Sequence, residues 1–192
     1  MKFEINREIL LKPLQQVAGV VERRQTLPIL SNILMQLDGN KLSLTGTDLE
    51  VEMVAVVDVV GSDAGEITVP ARKFLDICRE LPDNADIEVT LNDQRLEIRS
   101  GRFRSHLSTL AAADFPVVDK TESQESAEVD AQSLKQLLEL TGFAMAQQDV
   151  RYYLTGLLME FERHKVSAVA TDGHRLSFAG ISVLNNAFDD KI

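Results

Sequence analysis

Two stretches of the chain space their residues for one face of a helix: Ile9, Leu10, Leu14, Val17 and Val21, then Leu134, Leu137, Leu138, Thr141 and Met145. Each follows a residue suited to cap a helix, Asn6 or Asp130, whose short side-chain oxygen can accept from the free N–H groups of the first turn. A third run, Ala71–Leu81, puts Phe74, Leu75, Cys78 and Leu81 on one side. Pro13 lies inside the first run and predicts a kink or break there, because its ring removes a donor and crowds the preceding turn. Elsewhere the period is two. Met35–Glu50 and Val89–Arg104 alternate apolar and polar residues about the short turns Asp38-Gly39-Asn40 and Asn92-Asp93-Gln94, which is the hairpin signal. Phe3–Ile5 and Ile67–Val69 read as short strands entering the helices Arg7–Val21 and Ala71–Leu81. The unit is therefore strand, helix and three antiparallel strands, used twice in the first domain, an α+β class.

The pattern repeats on a larger scale. Lys41, Ser43, Thr47 and Asp48 recur as Lys165, Ser167, Thr171 and Asp172, each 124 residues on, and the same offset pairs Leu10 with Leu134, Leu14 with Leu138, Leu30 with Leu154, Leu34 with Leu158 and Asn6 with Asp130. Within the first copy a weaker offset of 54 lays Leu37, Lys41, Leu42 and Leu44 over Leu91, Arg95, Leu96 and Ile98. This is a tandem duplication. A polar, acidic stretch, Asp114–Glu128, separates the copies, giving a first domain over 1–119, a linker over 120–128 and a second domain over 129–192. The second copy reaches the counterpart of Thr68, so it is expected to be incomplete, with an open sheet edge.

Composition narrows the classes. No apolar run approaches the roughly 18 residues of a membrane span, and MKFEINRE lacks the apolar region of a signal peptide, so a cytoplasmic location is expected. The single cysteine, Cys78, sits among apolar residues at helical spacing and reads as a buried thiol. A net charge of −10 is unlike a tight nucleic-acid binder, although a few cations gathered on one face would suffice for weak contact.

The segment ATDGHRL, Ala170–Leu176, draws attention as candidate chemistry. As an acid–base or metal site, Asp172 and His174 would need further ligands, yet the chain has three histidines and no metal-ligand spacing joins them. As plain structure, Thr171-Asp172 repeats the turn residues Thr47-Asp48, which leaves unexplained the replacement of Leu49-Glu50-Val51 by Gly173-His174-Arg175.

The segments KFEINREILLKPLQQV, TLPILSNILMQL, LSLTGTDLEVEM, TVPARKFLDICREL, STLAAADFP, QDVRYYLTGLL and ATDGHRL, in that order, resemble the bacterial sliding-clamp family, the beta subunits of DNA polymerase III. The resemblance covers essentially the whole chain. It implies the DNA-clamp fold, with antiparallel sheets outside and helices lining a DNA-facing side, and a third domain absent here. It implies a homodimeric ring that encircles duplex DNA without reading sequence and acts as a processivity factor for DNA replication. Such a ring tethers the polymerase, raising its effective concentration at the primer end. The expected partners are double-stranded DNA, the polymerase III alpha subunit, the clamp loader and other proteins carrying a clamp-binding motif. No cofactor, no metal and no catalysis of its own are expected, and this chain is not expected to close a ring by itself.

For individual residues, the resemblance implies a peptide-binding pocket wall of Arg151, Leu154, Thr171, Gly173, His174, Arg175 and Leu176, in which glycine lets the backbone approach a ligand. It implies DNA contacts by Arg24 and its counterpart Gln148, with Arg72, Arg79 and Lys12 on helix faces. It implies a subunit interface through Lys73, Arg102, Arg104 and Leu107, with Arg102, Arg104 and His106 alternating outward along the last strand of the first domain. Ser105 departs from the bulkier apolar residue expected there. Two rivals stand beside this reading: a hydrolase using Asp172 and His174, and a fold relative that binds proteins alone.

Overall fold

A computed structural model describes residues 1–21, 27–116 and 127–183, with Ser62 described by its backbone alone. The chain divides into two compact units, Met1–Asp119 and Lys120–Ile192.

In the first unit, β1 (Lys2–Asn6) runs directly into α1 (Arg7–Gly19). The change of direction is fixed by Asn6, whose Oδ1 accepts from the Glu8 N–H at 3.0 Å. The break expected at Pro13 does not occur, and the helix runs through it, ending at Gly19 rather than Val21. Losing one backbone bond at a proline costs about 3 kcal/mol. Leu10, Leu14 and Val17 are fully buried around it, each worth roughly 1.5–3 kcal/mol, which outweighs that loss.

Next come β2 (Asn32–Asp38), β3 (Lys41–Thr47), β4 (Glu52–Asp58) and β5 (Val60–Asp63). The second module follows as β6 (Gly65–Pro70), α2 (Ala71–Glu80), β7 (Asp86–Asn92), β8 (Arg95–Ser100) and β9 (Phe103–Ser108). The offset of 54 maps β2 onto β7 residue for residue, and Gly39 (φ 54°) onto Asp93 (φ 53°), the left-handed corner of each hairpin. The modules exchange their first strands. One sheet runs β4-β3-β2-β6 and the other β5-β1-β7-β8-β9, so β1 completes the second module's sheet and β6 the first module's. Between them lies one core that includes Phe3, Leu14, Met35, Leu44, Phe74, Cys78, Ile87 and Ile98. Burial pushes the Cys78 thiol up to about 12, so it is a packing group. Arg7 ties the helices together: its Nε donates to the Cys78 carbonyl (2.9 Å) and Nη2 to the Arg79 carbonyl (3.2 Å), satisfying carbonyls that the end of α2 leaves open.

The second unit holds α3 (Ala131–Gly142), β10 (Leu158–Glu162), β11 (Lys165–Thr171) and β12 (Leu176–Ser182). Its bounds follow the offset of 124, with β3 falling on β11 and β4 on β12. Asp130 caps α3 as Asn6 caps α1, its Oδ2 accepting from the Ser133 N–H at 2.8 Å. The core is smaller: Leu137, Val166, Ala168 and Val183. Leu14 and Leu34 are 0% and 5% exposed, whereas their counterparts Leu138 and Leu158 are 38% and 59% exposed. In the first unit, β6 lies along β2; among the described residues β10 has no neighbour on that side.

Candidate functional site

The turn joining β11 to β12 is built like its counterpart between β3 and β4. Asp48 Oδ1 accepts from the Glu50 and Val51 N–H groups (2.9 and 2.7 Å), and Asp172 Oδ1 from those of His174 and Arg175 (both 2.9 Å). The Thr47 hydroxyl donates to the Val51 carbonyl and accepts from the Leu49 N–H. Thr171 does the same with Arg175 and Gly173. Backbone donors hold the Asp172 carboxyl below the usual carboxylate range, so it stays an anion committed to the turn and a poor proton shuttle. Among the described residues no cluster of three or more His, Cys, Asp or Glu side chains is placed to hold a metal.

Gly173 occupies the left-handed region, φ 89°, as does its counterpart Leu49, φ 80°. Both turns thus hold this position left-handed, a conformation that glycine adopts without strain and Leu49 at a cost. A Cβ on Gly173 would lie 3.4 Å from Arg151 Nη1. Arg151 is itself held by Asp149, a residue the sequence reading passed over. Its Nε and Nη2 donate to the two carboxylate oxygens at 3.0 and 2.7 Å, and its backbone N–H adds a bond of 2.8 Å. That fork pulls the Asp149 carboxyl down to about 2. Nη2 also reaches the Asp172 carbonyl at 3.4 Å, which carries Arg151 to the turn. Leu154 joins through backbone bonds: its N–H donates to the Arg151 carbonyl and its carbonyl accepts from the Ala146 N–H, both at 2.9 Å.

The bonds of Arg151 therefore join the segment that carries Leu154 to the turn that carries Gly173. Leu154 is half-buried, while Gly173, His174, Arg175 and Leu176 are exposed, Leu176 at 66%. Beside them, Val150, Tyr152 and Tyr153 are 87%, 84% and 79% exposed. Arg175 Nε donates to Asp172 Oδ2 at 3.0 Å, and its guanidinium carbon stands 5.6 Å from the centre of the Phe143 ring. Arg151 and Arg175, which flank these exposed apolar side chains, are each already paired with a nearby carboxylate, Asp149 and Asp172.

The candidate DNA-contact residues sit on helix and loop surfaces. Lys12 is on the exposed face of α1 with Gln15 and Gln16, and Arg72 and Arg79 are exposed on α2. Arg79 Nη1 lies 3.8 Å from Asp76. Gln148 is exposed in a left-handed conformation, φ 54°, and Arg24 lies outside the described residues.

At the free edge of the five-stranded sheet, β9 exposes Arg104 and His106. Arg102 falls in the turn before this strand rather than on it. Leu107 is 5% exposed and packs with the core of the first unit. Its register partner is Leu96, also buried, so that side of β9 faces inward. Lys73 is exposed on α2. Glu97, which no sequence motif singles out, organises the outer side: its nearly buried carboxylate pairs with Arg99 Nε at 2.7 Å and with Arg104 Nε. Hydrogen bonding from Arg99, then Arg104, holds its carboxyl low despite burial.

Residues 1–119 match the family profile described as DNA polymerase III beta subunit, N-terminal domain, and residues 128–191 match the profile for its central domain. The chain is 55% identical over 183 residues to the beta sliding clamp of Pseudomonas putida and 54% identical over 184 residues to that of Escherichia coli K12, covering 95% of this chain and 50% of each relative. Among solved structures, the DNA polymerase III subunit beta of Pseudomonas aeruginosa superposes with a TM-score of 0.94 at 49% identity, over 100% of this chain and 52% of that one. The sliding clamp of Caulobacter crescentus gives 0.92 at 41% identity, over 100% and 54%. The chain spans about half the length of the curated relatives it matches.

Proposed function

Because the chain belongs to the DNA polymerase III beta subunit family, we propose that it supplies N-terminal and central domain sequence of a ring subunit, a processivity factor that encircles duplex DNA and does no chemistry itself. The observation that carries this is the pair of consecutive family domains in family order. On this reading, α1 and α2 face the DNA. Lys12, Arg72 and Arg79, with Arg24 and Gln148, make a few phosphate contacts, weak enough to slide and blind to sequence. Arg79 is half-compensated by Asp76, which suits weak contact.

The face around Gly173–Leu176 takes the short binding segments of the polymerase alpha subunit, the clamp loader and other replication proteins. Leu154 and Leu176 would form its apolar floor. Lys73, Arg102 and Arg104, on and beside the β9 edge, meet a partner subunit in the homodimer, with Glu97 holding Arg104 in place. A replisome-associated location in the bacterial cytoplasm follows from that role. No helix among the described residues is long and apolar enough to cross a membrane.

The test is retention of the complete subunit on circular and linear DNA. The ring reading expects retention on circles and loss from linear ends. Arg72→Ala with Arg79→Ala should weaken DNA association most at low salt, where counterion release contributes most. Equal retention on both templates would remove the encircling mechanism.

A further inference from the structure

We propose that Phe143 is a positioning residue for Arg175 of the peptide-binding wall, an inference that rests on the pocket reading above. Phe143 is the first residue beyond α3 and is 61% exposed, a poor packing position for a large aromatic ring. Its neighbour is the Arg175 guanidinium, 5.6 Å from the ring centre, in reach of a cation–π contact. Asp172 Oδ2 grips the same guanidinium through Nε at 3.0 Å. A carboxylate at one point and an aromatic face at another leave a long side chain few rotamers, so the ordering cost of binding is met before a ligand arrives.

The supports of both groups are bonded to each other. The Ser177 hydroxyl, one residue into β12, donates to the Leu140 carbonyl in the last turn of α3 at 2.7 Å. That bond ties the strand carrying the turn to the helix end carrying the ring. The negative end of α3 also favours a cation there.

The internal repeat supplies a control within the chain. Positions 143 and 175 correspond to Gly19 and Val51, while the turn between β3 and β4 keeps the Thr–Asp skeleton of its counterpart. Ring and guanidinium are thus both present in the copy that bears the wall and both missing from the copy that lacks it. The shared skeleton requires neither.

In the 192-residue chain, Phe143→Leu should abolish the ring-current shift of the Arg175 δ-methylene and Nε–H proton signals and leave the other amide signals in place. Phe143→Trp should restore a shift. An unchanged Arg175 signal in Phe143→Leu would overturn the proposal. In the complete subunit, a fluorescein-labelled peptide from the clamp-binding segment of the polymerase alpha subunit should bind about threefold more weakly to Phe143→Leu, with affinity recovered by Phe143→Trp. Adding Phe143→Leu to Arg175→Ala should cost nothing further. A full additional loss on the Arg175→Ala background would mean that Phe143 acts on the peptide directly, and would overturn the positioning role. Normal affinity in Phe143→Leu beside weakened Arg175→Ala would overturn it while leaving the pocket intact. Normal affinity in Arg175→Ala would instead sink the pocket reading.

Discussion

The turns at residues 47–51 and 171–175 share a threonine that bonds across the turn, an aspartate that collects two backbone N–H groups and a left-handed third residue. The side chains that project from that skeleton differ. Leu49, Glu50 and Val51 stand where Gly173, His174 and Arg175 stand, and Gly19 stands where Phe143 does. The backbone and its inward bonds are the common part, and the outward side chains are where the copies diverge. A duplicated scaffold can carry a binding surface in one copy without changing how either turn folds.

The largest expected effect concerns the cores behind the two turns. In the 192-residue chain, Leu14→Ala should cost about 2–5 kcal/mol of stability as a buried truncation, and its counterpart Leu138→Ala less than about 1 kcal/mol, read by urea unfolding followed separately for each unit. Equal losses would mean that the second module's cover matters little. Next, His174→Ala with Arg175→Ala in the complete subunit should cost roughly 1–3 kcal/mol of peptide affinity as hot-spot positions. Glu50→Ala with Val51→Ala, the same turn in the other copy, should cost none. Fluorescence polarisation would decide, and DNA retention should survive both pairs.

A smaller effect separates the left-handed residues. Gly173→Ala should destabilise by about 1 kcal/mol and disturb Arg151, whereas Leu49→Gly removes a strain that the first copy already bears. A thermal-melt comparison of the pair would show opposite signs or break the parallel. The smallest is the acid limb. Asp149 has its folded value depressed to about 2, so its support for Arg151 is complete above the ordinary carboxylate value of about 3.9 and fades as pH falls through about 2. Following the Arg151 Nε–H signal with pH should show this, and Asp149→Asn should remove it.

The element order was legible because its signals are local and repeated. Caps at Asn6 and Asp130, period-two alternation and two internal offsets each locate elements independently. Four-residue β5 was not legible, since VGSD offers neither alternation nor β-branched density, and it forms because β1 provides an edge. Pro13 misled because local propensity lost to burial of Leu10, Leu14 and Val17. At the candidate site, the wall residues came from resemblance, while Asp149, Phe143 and Glu97 escaped notice. Their significance lies in what they touch, and no spacing rule announces an aspartate two residues from its arginine or a ring 32 positions from its cation. Nor was the inward side of β9 legible: strand alternation gives two faces, and only the sheet's packing puts Leu107 with the core.

The exchange of first strands between the two modules also sets the order in which the first unit can be made. Lys2 pairs with Asp63 on one side and Thr90 on the other, so the first strand of this domain has no partner in that sheet until β5 has been synthesised and is not flanked on both sides until β7 follows. At about 5–20 residues per second, this leaves an apolar strand waiting for several seconds. Its pairing also carries a high contact order, which slows the final closure. The nascent chain is most open to mispairing and to chaperone capture during that wait.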